Sequence, residues 1–174
     1  MKYKAVAIGC SMGGLAVVSE ILRLLPADFS LSIVIVCHLD QDSKSLMAEL
    51  LNRETVLNVE QCDTGLTLKS SQVYVAPPAY HVYLEPDLSF SFSKDPKVSY
   101  CRPSIDVLFE SMADVLGPQL IGVLLTGANS DGAQGLCHIK EMGGTAIVQD
   151  PKTAEAPIMP RAGITSCKVD HIAS

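Results

Sequence analysis

Ser11 stands in the segment Ala7-Ile8-Gly9-Cys10-Ser11-Met12-Gly13-Gly14, where an apolar run ends and a helical pattern begins. A serine in such a strand-to-helix turn projects its hydroxyl, and N–H groups at the start of the next helix can face an oxyanion. The glycines let a substrate carbonyl come close to the main chain. This is the layout of an activated serine nucleophile; the plainer alternative is a glycine-rich turn that only connects two elements. Two more residues complete a pattern. His38 follows the apolar run 32–37, and Asp131 lies in the loop Thr126-Gly127-Ala128-Asn129-Ser130-Asp131-Gly132 after the run 120–126. With 17 serines, 4 histidines and 11 aspartates, owning all three types means little. One of each at three strand ends on one sheet edge means more, because open parallel sheets bind their ligands there.

The chemistry follows from the residue types. An alcohol needs a base within hydrogen-bond reach, and neutral His38 can take its proton. An acid on the other ring nitrogen fixes the tautomer and stabilises the imidazolium, which suits Asp131. The backbone N–H groups of Met12 and of the Gly127-Ala128 turn are the candidates for an oxyanion hole. An imidazole near its reference pKa predicts activity rising through roughly pH 6 to 7.5. Taken singly, Asp131 could be only the N-cap of its own helix, and His38 an ordinary polar residue at a strand end.

The elements that must carry these residues are legible as alternating patterns. Runs 5–9, 32–37, 73–76, 120–126 and 145–149 are apolar without alternation, as buried parallel strands are. Leu15, Val18, Ile21, Leu22 and Leu25 repeat at helical spacing before Pro26. Ser43 is a candidate N-cap ahead of Leu46, Met47, Leu50 and Leu51. Pro103 suits a first helical position before Val107, Leu108, Met112, Val115 and Leu116, with Gly117-Pro118 as the stop. A further helix spans 132–142. Residues 81–85 and 88–92 alternate around Pro86-Asp87, which predicts an antiparallel hairpin. The fold class is therefore α/β: a doubly wound, mostly parallel sheet with helices on both faces and an antiparallel hairpin at one edge. Residues 1–174 make one catalytic domain, with no repeat and no linker.

Composition narrows the function. Hydrophobic residues are 48% and charged residues 18%, which is globular. A net charge of -6 with no basic run argues against nucleic acid and an anionic membrane surface. No apolar stretch approaches the roughly 20 residues of a membrane span, and the N-terminus does not read as a signal peptide. A cytoplasmic protein without membrane insertion is expected. The six cysteines, Cys10, Cys37, Cys62, Cys101, Cys137 and Cys167, form no close pair. That excludes the usual zinc spacings and a secreted disulfide framework, so free thiols, no metal and no cofactor are expected.

At this level of detail the chain resembles the catalytic domain of the chemotaxis-type protein-glutamate methylesterases, over nearly its whole length. The resemblance rests on the Ser11 segment, on His38, and on Tyr74-Val75-Ala76-Pro77-Pro78 followed by His81. Arg102-Pro103-Ser104-Ile105-Asp106-Val107-Leu108-Phe109, the run Leu125 through the Asp131 loop to Gly135, and Met159-Pro160-Arg161 complete it. It implies a Ser-His-Asp triad at Ser11, His38 and Asp131. The implied reaction hydrolyses glutamate methyl esters on receptor helices to glutamate and methanol; some members also deamidate receptor glutamines. The implied partner is a methylated chemoreceptor or related signalling protein.

Several positions depart from that pattern: Met12 stands for the usual Thr, Cys37 for Gln, Leu39 for Met, and Ala128 for Met in a Thr-Gly-Met loop. They alter pocket shape more than the triad. Members commonly carry a receiver domain that covers the site until phosphorylated. This chain opens just before its first strand, so activity independent of phosphorylation, or control by a fused or separate regulatory domain, is expected. The family usually continues into a last helix where this chain reaches Ser174.

Three rivals are weaker. A dinucleotide-binding fingerprint needs a glycine where Ser11 stands and an acid where His38 stands. A Cys10 nucleophile would point into the sheet rather than out of the turn. A non-enzymatic receptor-binding module would not require all three triad residues. Arg102 and Arg161 are candidates for pairing with acidic groups around the methylated glutamate, against the alternative of surface contacts. His81, His138 and His171 are read as ordinary histidines.

Overall fold

The apolar runs become strands because the chain on either side of them supplies a helix for each face. β2 (Ser32–Cys37) is buried along its whole length and β1 (Ala5–Cys10) nearly so. The computed structural model describes residues 2–38 and 46–174. In chain order the elements are β1, α1 (Gly14–Leu24), β2, α2 (Met47–Glu54), β3 (Asn58–Gln61), β4 (Gln72–Val75), β5 (His81–Leu84) and β6 (Phe90–Ser93). Then come α3 (Ile105–Leu116), β7 (Leu120–Leu124), α4 (Ala133–Glu141), β8 (Thr145–Gln149), α5 (Ile158–Ser166) and β9 (His171–Ala173). Seven strands form one parallel sheet in the order β3-β4-β2-β1-β7-β8-β9.

Alternate residues of each strand feed two cores. Ala5, Ala7, Val34, Val36, Leu124 and Val148 face α3, α4 and α5, whose Phe109, Met112, Leu136 and Met159 are fully buried among them. Ile8, Cys10, Ile33, Ile35 and Val75 face α1 and α2 through Val18, Leu22, Met47 and Leu51. β1 lies centrally between β2 and β7, so the first half of the chain builds away on one side and the second half on the other. That reversal opens a crevice beyond the carboxyl ends of β1, β2 and β7, the ligand position of open α/β sheets.

The parallel sheet with helices on both faces is as expected, but the hairpin is not one of its edges. β5 and β6 form a separate two-stranded antiparallel sheet. Its apolar side, Val82, Leu84 and Phe90, is buried in the same core as α3, and Leu84 N donates to Ser111 Oγ at 3.1 Å. β3 takes the sheet edge instead, a short strand whose two end residues are exposed. The other edge is β9, three exposed residues paired with β8. Pro103 precedes α3 rather than starting it: Ser104 is the N-cap, its hydroxyl accepting from Val107 N. The Ser43 cap and Leu39 lie outside the described residues.

α3 and α4 pack closely because Gly135 has no side chain. A Cβ there would sit 2.6 Å from Phe109 Cβ and 2.9 Å from the Asp106 carbonyl oxygen. Gly135→Ala must push the two helices apart. We expect it to cost about 1–3 kcal/mol, as overpacking does, read as a lowered urea midpoint; unchanged stability would show that the helices can separate freely.

Candidate active site

The parallel register brings two of the sequence candidates side by side. Cys10 lies opposite Cys37, so Ser11 and His38 are the residues immediately beyond a paired position. His38 N donates to Cys10 O at 3.0 Å and Ser11 N donates to Thr126 O at 2.9 Å, which pins the ends of β1, β2 and β7 together. Gly13 then turns the chain into α1 at φ 76°, in the left-handed region that glycine tolerates. Ser11 and His38 line one cleft of about 930 Å³. Its walls are α1, through Leu15, Ala16 and Ser19, and α2, through Leu50 and Glu54. The Ser19 hydroxyl hydrogen-bonds the Glu54 carboxylate across it.

Asp131 comes to His38 from the far side, with no exposed surface. Its Oδ2 accepts from His38 Nε2 at 2.8 Å and from Ile105 N at 2.7 Å. Its Oδ1 accepts from the Ser104 hydroxyl at 2.8 Å and from Asp106 N at 3.1 Å. The carboxylate therefore also occupies the N-terminus of α3, where the N–H groups and helix dipole favour negative charge. Asp131 does cap a helix, but α3 rather than the α4 that follows it. Burial alone would raise its pKa; the hydrogen bonds from His38 and Ile105 outweigh burial and hold it below the usual carboxylate value.

An ionised carboxylate only accepts, so His38 carries a hydrogen on Nε2 and presents Nδ1 as its free base position. Burial pulls the His38 pKa down, but the hydrogen bonds with Asp131 and Cys101 outweigh it and push it up to about 9. At Nδ1 stand Cys101 Sγ at 3.5 Å and Asn129 Nδ2 at 3.3 Å. Among the described residues the Ser11 hydroxyl makes no hydrogen bond, so it is not committed to another partner.

Around the turn, Thr126 is buried and its hydroxyl donates to Met12 O at 2.9 Å while accepting from Ala156 N at 2.9 Å. That fixes the main chain after Ser11, and the Met12 N–H has no partner among the described residues. Gly127 N donates to Ala156 O, so it is not available to an oxyanion, whereas Ala128 is exposed next to it. Neither Arg102 nor Arg161 is among the residues lining this cleft. Arg102 Nη1 donates to the carbonyls of Lys94 and Asp95, tying down the chain after β6, and Arg161 is exposed on α5. Among the described residues the cation lining the cleft is Arg23, 3.8 Å from Glu20.

Residues that the sequence analysis treated only as motif letters prove to build the site. Ser104 and Asp106 hold Asp131, Cys101 and Asn129 border His38, and Thr126 braces Met12. His81 is buried with both ring nitrogens engaged, accepting from Ser104 N at 3.3 Å and bonding Pro96 O at 3.1 Å. Their only sequence signal was polar residues in or beside otherwise apolar stretches.

A doubly wound sheet with Ser, His and Asp gathered at its switch point defines a class of α/β hydrolytic domains. Residues 6–174 match the CheB methylesterase family, and the chain belongs to that family. It is 48% identical over 174 residues, all of this chain and 90% of the other, to a Leptospira interrogans protein provisionally named protein-glutamate methylesterase/protein-glutamine glutaminase. It is 35% identical over 162 residues to the protein-glutamate methylesterase FrzG of Myxococcus xanthus, covering 93% of this chain but 48% of FrzG. The CheB methylesterase catalytic domain of Thermotoga maritima superposes with a TM-score of 0.94 at 30% identity, covering 99% of this chain and 93% of that one.

The His38–Asp131 pair links stability to pH with a definite sign. The His38 pKa is raised on folding, so its contribution is complete below the unfolded value of about 6.5 and is lost as pH rises through about 9. The lowered Asp131 pKa contributes above the ordinary carboxylate range and is lost as pH falls through it. The melting temperature of the wild type should therefore drop more between pH 7 and about pH 10 than that of His38→Gln. Parallel curves would show that the pair adds no pH-dependent stability.

Proposed function

We propose that this domain hydrolyses glutamate methyl esters on chemoreceptor helices, with Ser11 as nucleophile, His38 as base and Asp131 as its orienting acid. The observation that carries the reading is the His38 ring. Its Nε2–H is committed to a buried carboxylate, and His38 lines the same cleft as Ser11.

Nδ1 takes the Ser11 proton as the hydroxyl oxygen attacks the ester carbonyl. The Met12 N–H, on main chain held by Thr126, faces the oxyanion that forms, and the exposed Ala128 N–H is the second candidate. Collapse expels methanol with the proton from Nδ1, leaving an acyl-serine. Water attacks that ester by the same proton route and frees the glutamate carboxylate. Several relatives carry both esterase and glutaminase names. A glutamine amide in the same position would release ammonia by the same steps.

The substrate we assign is an amphipathic receptor segment lying along the cleft between α1 and α2. Leu15 and Leu50 give that cleft its apolar contacts, and Glu20, Arg23 and Glu54 give it charge at the rim. Among the described residues no helix is long and apolar enough to cross a membrane, and all six cysteines are free thiols. Both fit action in the cytoplasm on the soluble part of a receptor. The reading includes no cofactor, and regulation would come from a fused or separate domain.

Ser11→Ala should lower methanol release from a methylated receptor fragment by about three or more orders of magnitude with the fold intact. Full turnover by the folded variant would overturn the assignment of the nucleophile. The base must be neutral, so activity should rise with pH through about 9, above the range expected of an unperturbed imidazole. The difference comes from the Asp131 and Cys101 hydrogen bonds that hold the proton on the ring. Asp131→Asn removes the stronger of these, and should both reduce turnover and move the rising limb to lower pH. A limb that stays in place would mean that Asp131 does not set the proton affinity of His38.

A further inference from the structure

His38, Cys101 and Asp131 offer ligand atoms that all lie within 4.8 Å of one another. The Ser-His-Asp chemistry uses two of these three residues and gives Cys101 only a hydrogen bond to His38, with no bond-making step of its own. We propose that Cys101 Sγ and His38 Nδ1 form a site for a soft divalent cation of the zinc type, and that a metal bound there switches off the esterase by occupying its base.

Three features of the cluster argue for a metal rather than for a chance contact. The first is distance. Zinc binds thiolate sulfur at about 2.3 Å and imidazole nitrogen at about 2.0–2.1 Å in tetrahedral geometry, which separates the two ligand atoms by about 3.5 Å. Cys101 Sγ and His38 Nδ1 are 3.5 Å apart. The separation of the two ligand atoms is therefore already that of a bridged pair.

The second is the state of the imidazole. A metal-ligating histidine characteristically gives its other ring N–H to a carboxylate, which fixes the tautomer and raises ligand basicity. His38 Nε2 does this to Asp131 Oδ2 at 2.8 Å, and Asp131 is held in turn by Ser104, Ile105 and Asp106. Nδ1 is thus the nitrogen left for a metal, on the side where Cys101 stands, and Asn129 Nδ2 at 3.3 Å is the neighbour an ion would displace from it.

The third is support for the thiolate. Asn129 Nδ2 lies 3.4 Å from Cys101 Sγ and donates toward it, as outer hydrogen bonds do to ligating sulfur. Cys101 is partly exposed, so an ion has a path in, whereas Cys10, Cys37 and Cys62 are buried. Two protein ligands leave the remaining positions to water, so the ion is exchangeable. The spacing rules that argue against zinc in the linear sequence do not reach this site, because its ligands come from the end of β2 and from the chain leading into α3, 63 positions apart.

Inhibition rests on the proposed esterase function; metal binding does not, and the test separates them. The folded protein is titrated with Co2+, whose thiolate charge-transfer absorption reports sulfur ligation, and the ion is then displaced with Zn2+. We expect a charge-transfer band that saturates at one ion per chain in wild type and in Ser11→Ala. Cys101→Ser should lose the band, and His38→Ala should weaken binding by about tenfold or more. Methanol release by wild type should fall in step with occupancy and return on chelation. Cys101→Ser should need at least about tenfold more Zn2+ for the same inhibition. No band, or a band that persists in Cys101→Ser, overturns the site. A band with no change in methanol release overturns the inhibitory role and leaves the metal site standing. Absence of any esterase activity beside an intact band would count against the proposed function alone. Cys101→Ala serves as the second variant should the serine perturb the turn.

Discussion

A carboxylate with no exposed surface must be surrounded by donors, and Asp131 draws its four from two directions. His38 supplies one from the end of β2; Ser104, Ile105 and Asp106 supply the others from the start of α3. Removing an ionised group from water without such partners costs several kcal/mol, so the arrangement is nearly obligatory once the charge is buried. The helix start gains a cap and the imidazole gains a fixed orientation from the same pair of oxygens. The start of α3 and the orientation of His38 are therefore not separable at this residue.

The reciprocal contact strengthens the lock. Asp106, in the first turn of α3, accepts from Gly135 N in the first turn of α4 at 2.7 Å. Each helix start is thus held by an acid from the segment that leads into or begins the other. Burial raises the Asp106 pKa to about 7, with the Gly135 N–H opposing and the nearby Asp131 adding to the rise. Two buried carboxyls this close do not readily ionise together, and the donors are concentrated on Asp131. The charge consequently stays where His38 needs it.

The strands, α1, α3 and α4 were legible because burial on both sides of a sheet writes itself as uninterrupted apolar runs, and helices between them as a three-to-four spacing. Ser11, His38 and Asp131 were legible because strand ends in a parallel sheet converge. What escaped has physical reasons. β3 and β9 are short edge strands of four and three residues, largely exposed, and α5 carries Pro160 and Gly163, which blur a helical pattern. The hairpin's alternation was visible, but nothing in it told a sheet edge from a separate ribbon laid on α3. Ser104, Thr126 and Asn129 act through hydrogen bonds to distant backbone and rings, and such partners leave no periodicity in a sequence. The carbonyl partners of Arg102 after β6 were invisible for the same reason.

The pairing of β1 with β7 joins residues more than a hundred positions apart, with Ala5 opposite Leu120. On the proposed assignment of roles, a chain emerging from the ribosome therefore carries its nucleophile turn long before the acid that orients the base has been made. The hydroxyl of Ser11 stays chemically ordinary throughout that interval, since an imidazole without Asp131 has neither a settled tautomer nor a settled direction. Hydrolytic power arrives late and all at once, when α3 docks and receives its cap.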